Sequence, residues 1–477
     1  MFAQFESFVY NVIWGYPILI AVGGFGLYVT IRSGFFQFRM LPTILKYPFQ
    51  KEANDSKAAG QNLSTLEAVS IAIGGAVGVS NISGVGTAIA TGGPGALFWM
   101  LVAAFLGMMT KLVETSLALH YRHTREDGTL TGGPTYYIMR GLYEEKGWPK
   151  KVCQLLCILF GVSLFGIFFL TLQNYTVAEA VGSTFGVPYL AVGIVLALVT
   201  AGCLWGGLKK LGKFATFIVP VMCIFYIGCV IVCLILNAGA IPGAIVQIVK
   251  GAFTYQAAVG GFAGATVTKA LRLGFMRCIY SNEAGWGTSP MIHATANVDH
   301  PVKQGFMGAF EVFVDTCLVC CATGVLVVVT GYWNSGLVGA ELTLTALEAN
   351  IGSFARMVVA ISIFFFALTT GTGWFVYYDT VLAHAFKGKV RDTVRKIQLY
   401  LNPFKGLIIT VITVVFGGTP AEVWVVADFS SGLPTYVNLF VIIMLSGKFF
   451  EILKDYKARY MGIGQIDPNF KIFYEDK

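Results

Sequence analysis

Stretches of about twenty apolar residues recur along this chain, and that recurrence constrains its fold more than any motif does. A helix needs about 20 residues to cross the hydrocarbon core of a bilayer. Such runs fall near 9–31, 65–91, 95–119, 153–181, 187–208, 213–237, 250–274, 304–333, 353–385, 404–418 and 420–447. Inside lipid every backbone N–H and C=O has to be bonded within the chain, so spans of this kind are helices. The expected class is an all-α polytopic membrane protein with about eleven transmembrane helices. Composition agrees: 56% of the 477 residues are hydrophobic and 12% are charged, too few charges to cover a soluble surface. The first run has no basic segment before it and no small-residue cleavage site after it, so it reads as a retained helix and not a signal peptide.

The basic residues orient the spans. Of the 33 Lys and Arg, 31 fall in the segments 32–57, 111–151, 209–213, 269–303, 387–405 and 448–477, and the alternate connections hold only Lys250 and Arg356. By the positive-inside rule this places the N-terminus outside and the C-terminal tail in the cytoplasm, in a multi-pass plasma (inner) membrane protein. The net charge of +8 is then a topology signature and no sign of nucleic-acid binding. The run KGKVRDTVRK (387–396) is able to touch anionic membrane lipid, although a plain topology determinant accounts for it. The ten cysteines lie nearly all in apolar runs, as small buried hydrophobes do. Cys317 and Cys320 form a CxxC without a histidine or second pair nearby, so neither zinc nor a disulfide framework is expected.

Two of the expected helices are poorly made. The second contains GAVGVSNISGVG, Gly75 to Gly86, and the seventh contains FTYQAAVGGFAGATV with Gly260, Gly261 and Gly264. With the first helix set aside, the remaining spans divide into two sets of five, each opening on a glycine-interrupted helix. Because five is odd, the second set enters the membrane from the opposite side. The expected organisation is an N-terminal helix and cytoplasmic loop over 1–63, inverted five-helix repeats over 64–238 and 239–447, and a cytoplasmic tail over 448–477. Interrupted helices at corresponding positions of inverted halves are the best sequence pointer to a transporter's binding site. Half-helix N-termini offer free N–H groups to a carboxylate, and exposed carbonyls offer oxygens to a hard cation. The plainer reading is close helix packing, since Gly74 and Gly78 form a GxxxG; Ser80, Asn81 and Ser83 are residues that packing does not need.

Other spans carry polar groups suited to the same site. Thr369 and Thr370 are adjacent in FFFALTTGTGW, where two hydroxyls either bond back to their own helix or ligate a cation. Gln173 has an amide that donates and accepts, and Trp374 stands one turn beyond the threonines, as a pocket wall or a lipid-facing anchor. Glu114 is expected to pair locally with Lys111. Glu179 and Asp379 are expected to gate, to couple a proton or to anchor a neighbouring helix, and Asp315 to tie down a loop nearer the cytoplasm. The loop 281–305, dense in small and polar residues, is a candidate part of an inner gate. An intramembrane hydrolase is not expected, because all five histidines (120, 123, 293, 300 and 384) fall at cytoplasmic ends or loops and no HExxH occurs. A channel and a non-transporting amino-acid sensor are the other rivals; the sensor would use the same binding residues. No pattern speaks to oligomeric state.

The stretches VSNISGVGTAIATGGPGALFWM, KLVETSLALHYR with GGPTYYI, SNEAGWGTSP followed by HPVKQG, and VWVVADFSSGL together resemble the alanine or glycine:cation symporter family, from about residue 64 to about residue 445. The resemblance implies a secondary transporter of the leucine-transporter type of fold. It implies import of a small neutral amino acid on a sodium gradient, sometimes protons, with no organic cofactor. By it, the N–H groups around Val79, Ser80 and Asn81 hold the substrate carboxylate. Carbonyls of Gly74 and Val77 with the hydroxyls of Thr369 and Thr370 form the sodium site. Gln173 and Trp374 match substrate-site positions, and Gly261 with Phe262 matches the second unwound helix. The chain departs from the family where Val79-Ser80-Asn81 stands for the usual Thr-Gly-Asn, and where Gly371-Thr372 replaces a pair of larger apolar residues. Alanine or glycine is the expected substrate, with another small neutral amino acid as the alternative.

Overall fold

The computed structural model describes residues 2–54, 62–169, 171–205, 207–254, 267–417 and 420–475. Among them the chain is almost wholly helical, as a backbone without water partners has to be. Seven helices are long and apolar enough to cross a membrane, or up to nine if each of two bent pairs is one span. Tyr189–Leu204 and Ala238–Phe253 are shorter apolar helices, at the expected fifth span and just before the expected seventh. The strands among the described residues are His123–Thr124 and Leu130–Thr131, an antiparallel pair with His123 opposite Thr131.

The expected second span is broken. Ser64 opens it with a reciprocal cap, its side chain accepting from the Glu67 N–H at 3.2 Å while Glu67 accepts from the Ser64 N–H at 2.8 Å, which satisfies two of the donors a helix start leaves free. The helix Thr65–Ala76 then stops, and Ser80–Gly92 resumes at an angle of 49°, with a π-helical turn over Ser80–Gly84. A break was not expected in the fourth span, yet residues 171 and 172 are non-helical between the helices Lys150–Phe169 and Gln173–Phe185.

The expected span 404–418 is corrected. Helix begins at Gly388 and runs to Phe404 before a 40° bend into Leu407–Phe416, so the basic run lies on a helix. That helix lies antiparallel along Ser353–Ala385: Arg395 holds Asp379 with both oxygens engaged, the longer contact 2.7 Å, and Asn402 donates to the Gly371 carbonyl at 3.1 Å. Asp379 is thus an anchor for its neighbour. Glu179 is another, lying against Gly339 and accepting from the Ala340 N–H at the start of Gly339–Ile351, where a helix N-terminus favours a carboxylate. The last span continues as one helix from Pro420 to Met461.

Gly95–His120 runs through the centre, its second half buried on every side. It packs on Pro301–Val312 and Val267–Asn282. The first helix is held by a buried ion pair elsewhere in the bundle. Arg277 grips Asp428 at 2.7 and 2.8 Å, and Trp14 Nε1 donates to the Asp428 carbonyl at 2.7 Å. A buried pair of this kind fixes an arrangement more than it adds stability.

Candidate functional site

The gap in the broken second span is the centre of the site. Val77 leaves the helix with φ −69° and ψ 100°, which frees backbone groups on both sides. The Gly78 N–H donates to Asn81 Oδ1 at 2.9 Å and the Val79 N–H to Gln173 Oε1 at 3.4 Å. On the carbonyl side, Gly74 accepts from Thr370 Oγ1 at 3.0 Å and Gly75 from Trp374 Nε1 at 3.3 Å. Thr369 instead donates to the carbonyls of Phe365 and Phe366 in its own helix, at 3.1 and 2.9 Å, the self-satisfying arrangement for a hydroxyl in lipid. Glycine at 78 is a requirement of space. A Cβ there would meet Thr370 Oγ1 at 2.8 Å and the Gln173 amide at 3.3 Å.

Ser80, Gln173, Thr370 and Trp374 line one cavity. Its volume is ≈ 40 Å³, room for a few waters at about 10–15 Å³ each, so a larger molecule fits only if the walls part. Gly74, Val77 and Thr369 adjoin this cavity through the same two helices. Asn81 does not point into it. Its Nδ2 donates to Asp315 Oδ1 at 2.6 Å, and Asp315 also accepts from Ser281 at 3.0 Å and Thr316 at 2.7 Å. Asp315, expected to tie down a cytoplasmic loop, braces the unwound segment instead. Gly261 and Phe262 lie outside the described residues.

The expected gate loop forms one wall of the cavity. Trp286 stacks edge-on against Trp374 with centroids 5.9 Å apart, and Glu283 lines the same space. Glu283 sits at φ +57°, a conformation few non-glycine residues adopt. It is held there by Thr288 Oγ1 at 2.6 Å and Tyr377 OH at 3.2 Å, both donating to its carboxylate. Behind it lies a buried charged network. Glu114 was expected to pair with Lys111, but it accepts from the N–H groups of Gly285 and Gly287, each at 3.1 Å, and from Asn438. Lys111 reaches across to Ser289 at 2.7 Å and Glu311 at 3.6 Å, and Glu311 is 2.9 Å from His293 Nε2. Three carboxylates and a lysine thus fasten the loop where a local pair would have fastened nothing.

Two further lining residues, Asn402 and Lys405, come from the second bent pair and were missed in the sequence. Their signal was NPFKG (402–406), an Asn-Pro, a Lys and a Gly at the edge of an apolar run. Three interruptions therefore converge on one cavity, at 77–79, 171–172 and 402–406.

The model of the sodium:alanine symporter family matches residues 1–471. The chain is 35% identical to the sodium/alanine symporter AgcS of Methanococcus maripaludis, covering 94% of this chain and 95% of that one. It is also 35% identical to the probable sodium/glutamine symporter GlnT of Bacillus subtilis, covering 98% and 92%. Among solved structures, MhsT in complex with L-phenylalanine superposes with a TM-score of 0.56 over 80% of this chain and 88% of that one, at 14% identity. That likeness is one of fold, the leucine-transporter fold. The chain is a multi-pass membrane transporter and not an enzyme, and it belongs to the sodium:alanine symporter family.

Proposed function

We propose that this protein imports a small neutral amino acid, alanine or glycine first, by symport with sodium and alternating access. The observation that carries the reading is the meeting of Thr370 with the Gly74 carbonyl across the broken helix, beside the Gln173 amide and the Trp374 ring. Sodium takes the carbonyls of Gly74 and Val77 with the hydroxyls of Thr370 and Thr369. The carboxylate takes the N–H groups around Val79, Ser80 and Asn81, and the family resemblance adds Gly261 and Phe262 to the substrate-binding residues. The chain's own Asn81 and Gln173 oxygens accept from the Gly78 and Val79 donors, so a carboxylate exchanges one set of acceptors for another. Joint binding offsets the unwinding cost and lets one side close before the other opens. A potential of about 100 mV adds roughly 2.3 kcal/mol for each charge moved inward.

The proposal includes the topology: eleven spans, an extra first helix, inverted halves over 64–238 and 239–447, N-terminus outside and the 448–477 tail inside. The even basic-residue phase supports it. Proton coupling is the alternative for the ion. The names of two equally similar relatives, one for alanine and one for glutamine, keep a second neutral amino acid open.

The test is labelled-alanine uptake by purified protein in liposomes, with and without an inward sodium gradient, and with each proteinogenic amino acid as competitor. Saturable uptake that requires sodium is expected. Uptake driven by a proton gradient alone would replace the ion, and binding with no movement under any gradient would make the protein a sensor.

A further inference from the structure

A second cavity lies beyond the first, toward the end of the molecule where the chain starts and which the proposed topology puts outside. Its volume is ≈ 520 Å³, within the range of about 300–1,000 Å³ that small-molecule sites occupy. The first helix, the resumed half of the broken span, Val267–Asn282 and the last helix form its walls. A floor of two rings separates it from the inner cavity. Trp424 lines the outer space and Tyr280 the inner one, edge to face with centroids 5.5 Å apart. Arg277 lies over the Trp424 ring at 4.4 Å while Asp428 grips its guanidinium, so the buried ion pair braces the same floor.

Two opposite charges in the outer wall stand unmatched. Arg272 donates to Asn11 Oδ1 at 3.0 Å, and Asn11 donates in turn to Ser7 Oγ at 3.0 Å, one residue from Glu6. Lys269, one turn before Arg272, is engaged elsewhere. Among the described residues no carboxylate pairs with Arg272 and no cation pairs with Glu6, although both line the same space. The Nε atoms of Arg272 and Arg277 are buried there without an acceptor, which is costly for an N–H. A guanidinium fork and a carboxylate that share a cavity without meeting are complementary to a molecule carrying both charges.

We infer that this cavity is a second, outer binding site for the main chain of a free amino acid, with the α-carboxylate on Arg272 and the α-ammonium on Glu6. The inference rests on the symporter reading, because the site stands on the path from outside to the inner cavity. The side chain lies in the remaining volume, so this site reads the two charges and leaves selection among side chains to the inner cavity. A ligand with one charge meets only half of it.

The experiment binds labelled alanine to the purified full chain in sodium and in potassium medium, and measures sodium-driven uptake in liposomes alongside. Without sodium the inner site is empty, so the wild type is expected to hold one alanine per chain in potassium and two in sodium. Propionate and ethylamine are alanine less one charge. Each is expected to displace the alanine held in potassium more weakly than unlabelled alanine does, by about tenfold or more, the scale of a lost hydrogen bond to a charged group. Arg272→Gln and Glu6→Gln are each expected to weaken that binding by a similar factor, while the sodium-dependent alanine stays and shows that the variants are folded. No binding in potassium, or binding there that both variants leave unchanged, overturns the outer site and leaves the symporter standing. Propionate as effective as alanine, with Glu6→Gln without effect, makes the site one for any small anion and overturns the assignment to an amino acid. Two bound alanines without sodium-driven uptake overturn the symporter reading and keep the outer site.

Discussion

The two adjacent threonines show what one residue's orientation decides. From the sequence, Thr369 and Thr370 had the same two options, bonding back to their own helix or serving a cation. In the fold they find different partners, because they point about 100° apart on the helix. Thr370 reaches the Gly74 carbonyl, while Thr369 donates within its helix. Thr370→Val removes a donor without changing shape, at a cost of about 0.5–1.5 kcal/mol. The expected outcome is a rise of roughly twofold to tenfold in the sodium concentration for half-maximal uptake, with Thr370→Ser close to wild type. Thr369→Val is expected to raise that value too, but by less, because the Thr369 hydroxyl has to leave the Phe365 and Phe366 carbonyls to reach the ion. A value unmoved by Thr369→Val would remove Thr369 from the sodium site. Asn81 carries the same lesson. Its place beside Ser80 suggested a shared role at the substrate, yet its amide turns to Asp315, 234 positions away in the chain. No local pattern encodes a contact of that separation.

At the scale of elements, the interruptions differ in how visible they were. The break at 77–79 was legible because two serines and an asparagine stand among the glycines of a lipid-spanning run, and close packing through a GxxxG does not need them. The break at 402–406 was not. Its lysine counted toward the basic cytoplasmic segment, and its Asn-Pro read as the edge of a span. Only packing along Ser353–Ala385 shows that the helix has already begun at Gly388. The loop 281–305 was legible as a loop, but not the means of its fastening. Its turns at Gly285 and Gly287 have φ of +95° and +80°, which a side chain resists, and both N–H groups end on the Glu114 carboxylate. Lys111 and Glu114 stand three apart on one helix, the spacing of a local pair, yet each is claimed by the loop or the helix after it. Glu114→Ala leaves two buried N–H groups without an acceptor, at about 1–3 kcal/mol each. It is expected to lower the thermal unfolding midpoint of the detergent-solubilised protein, and Glu114→Gln, which keeps one oxygen, to lower it less. A midpoint unmoved by Glu114→Ala would show that water or a shifted loop replaces the carboxylate.

On the expected cytoplasmic side of the molecule, residues 474 and 475 are fastened to the end of the central helix and the segment after it, a feature no span count foresees. The Tyr474 N–H donates to the His120 carbonyl at 2.8 Å, just where the central helix ends. Glu475 takes His123 Nδ1 and Arg140 Nη2, each at 2.6 Å, and the Thr124 N–H at 3.0 Å. Partial burial pushes the Glu475 carboxyl up, but these donors overcome it and hold it down at about 2. A carboxyl lowered by folding stabilises the clasp above its ordinary value, about 4.3, and loses that contribution as pH falls through the folded value. The clasp is therefore whole at neutral pH and released as pH falls from about 4 toward 2. With 35% of the Glu475 side chain exposed, solvent keeps its worth small, within about 1 kcal/mol, so the readout has to be local. Protease cleavage of the tail in detergent is the measurement, using an enzyme active in acid. Resistance is expected at the upper end of that range and nicking at the lower. Glu475→Gln, which cannot carry the charge, is expected to be nicked throughout. A tail equally resistant in both proteins would place its hold in the Tyr474 backbone and the rings around it, with the carboxylate a bystander.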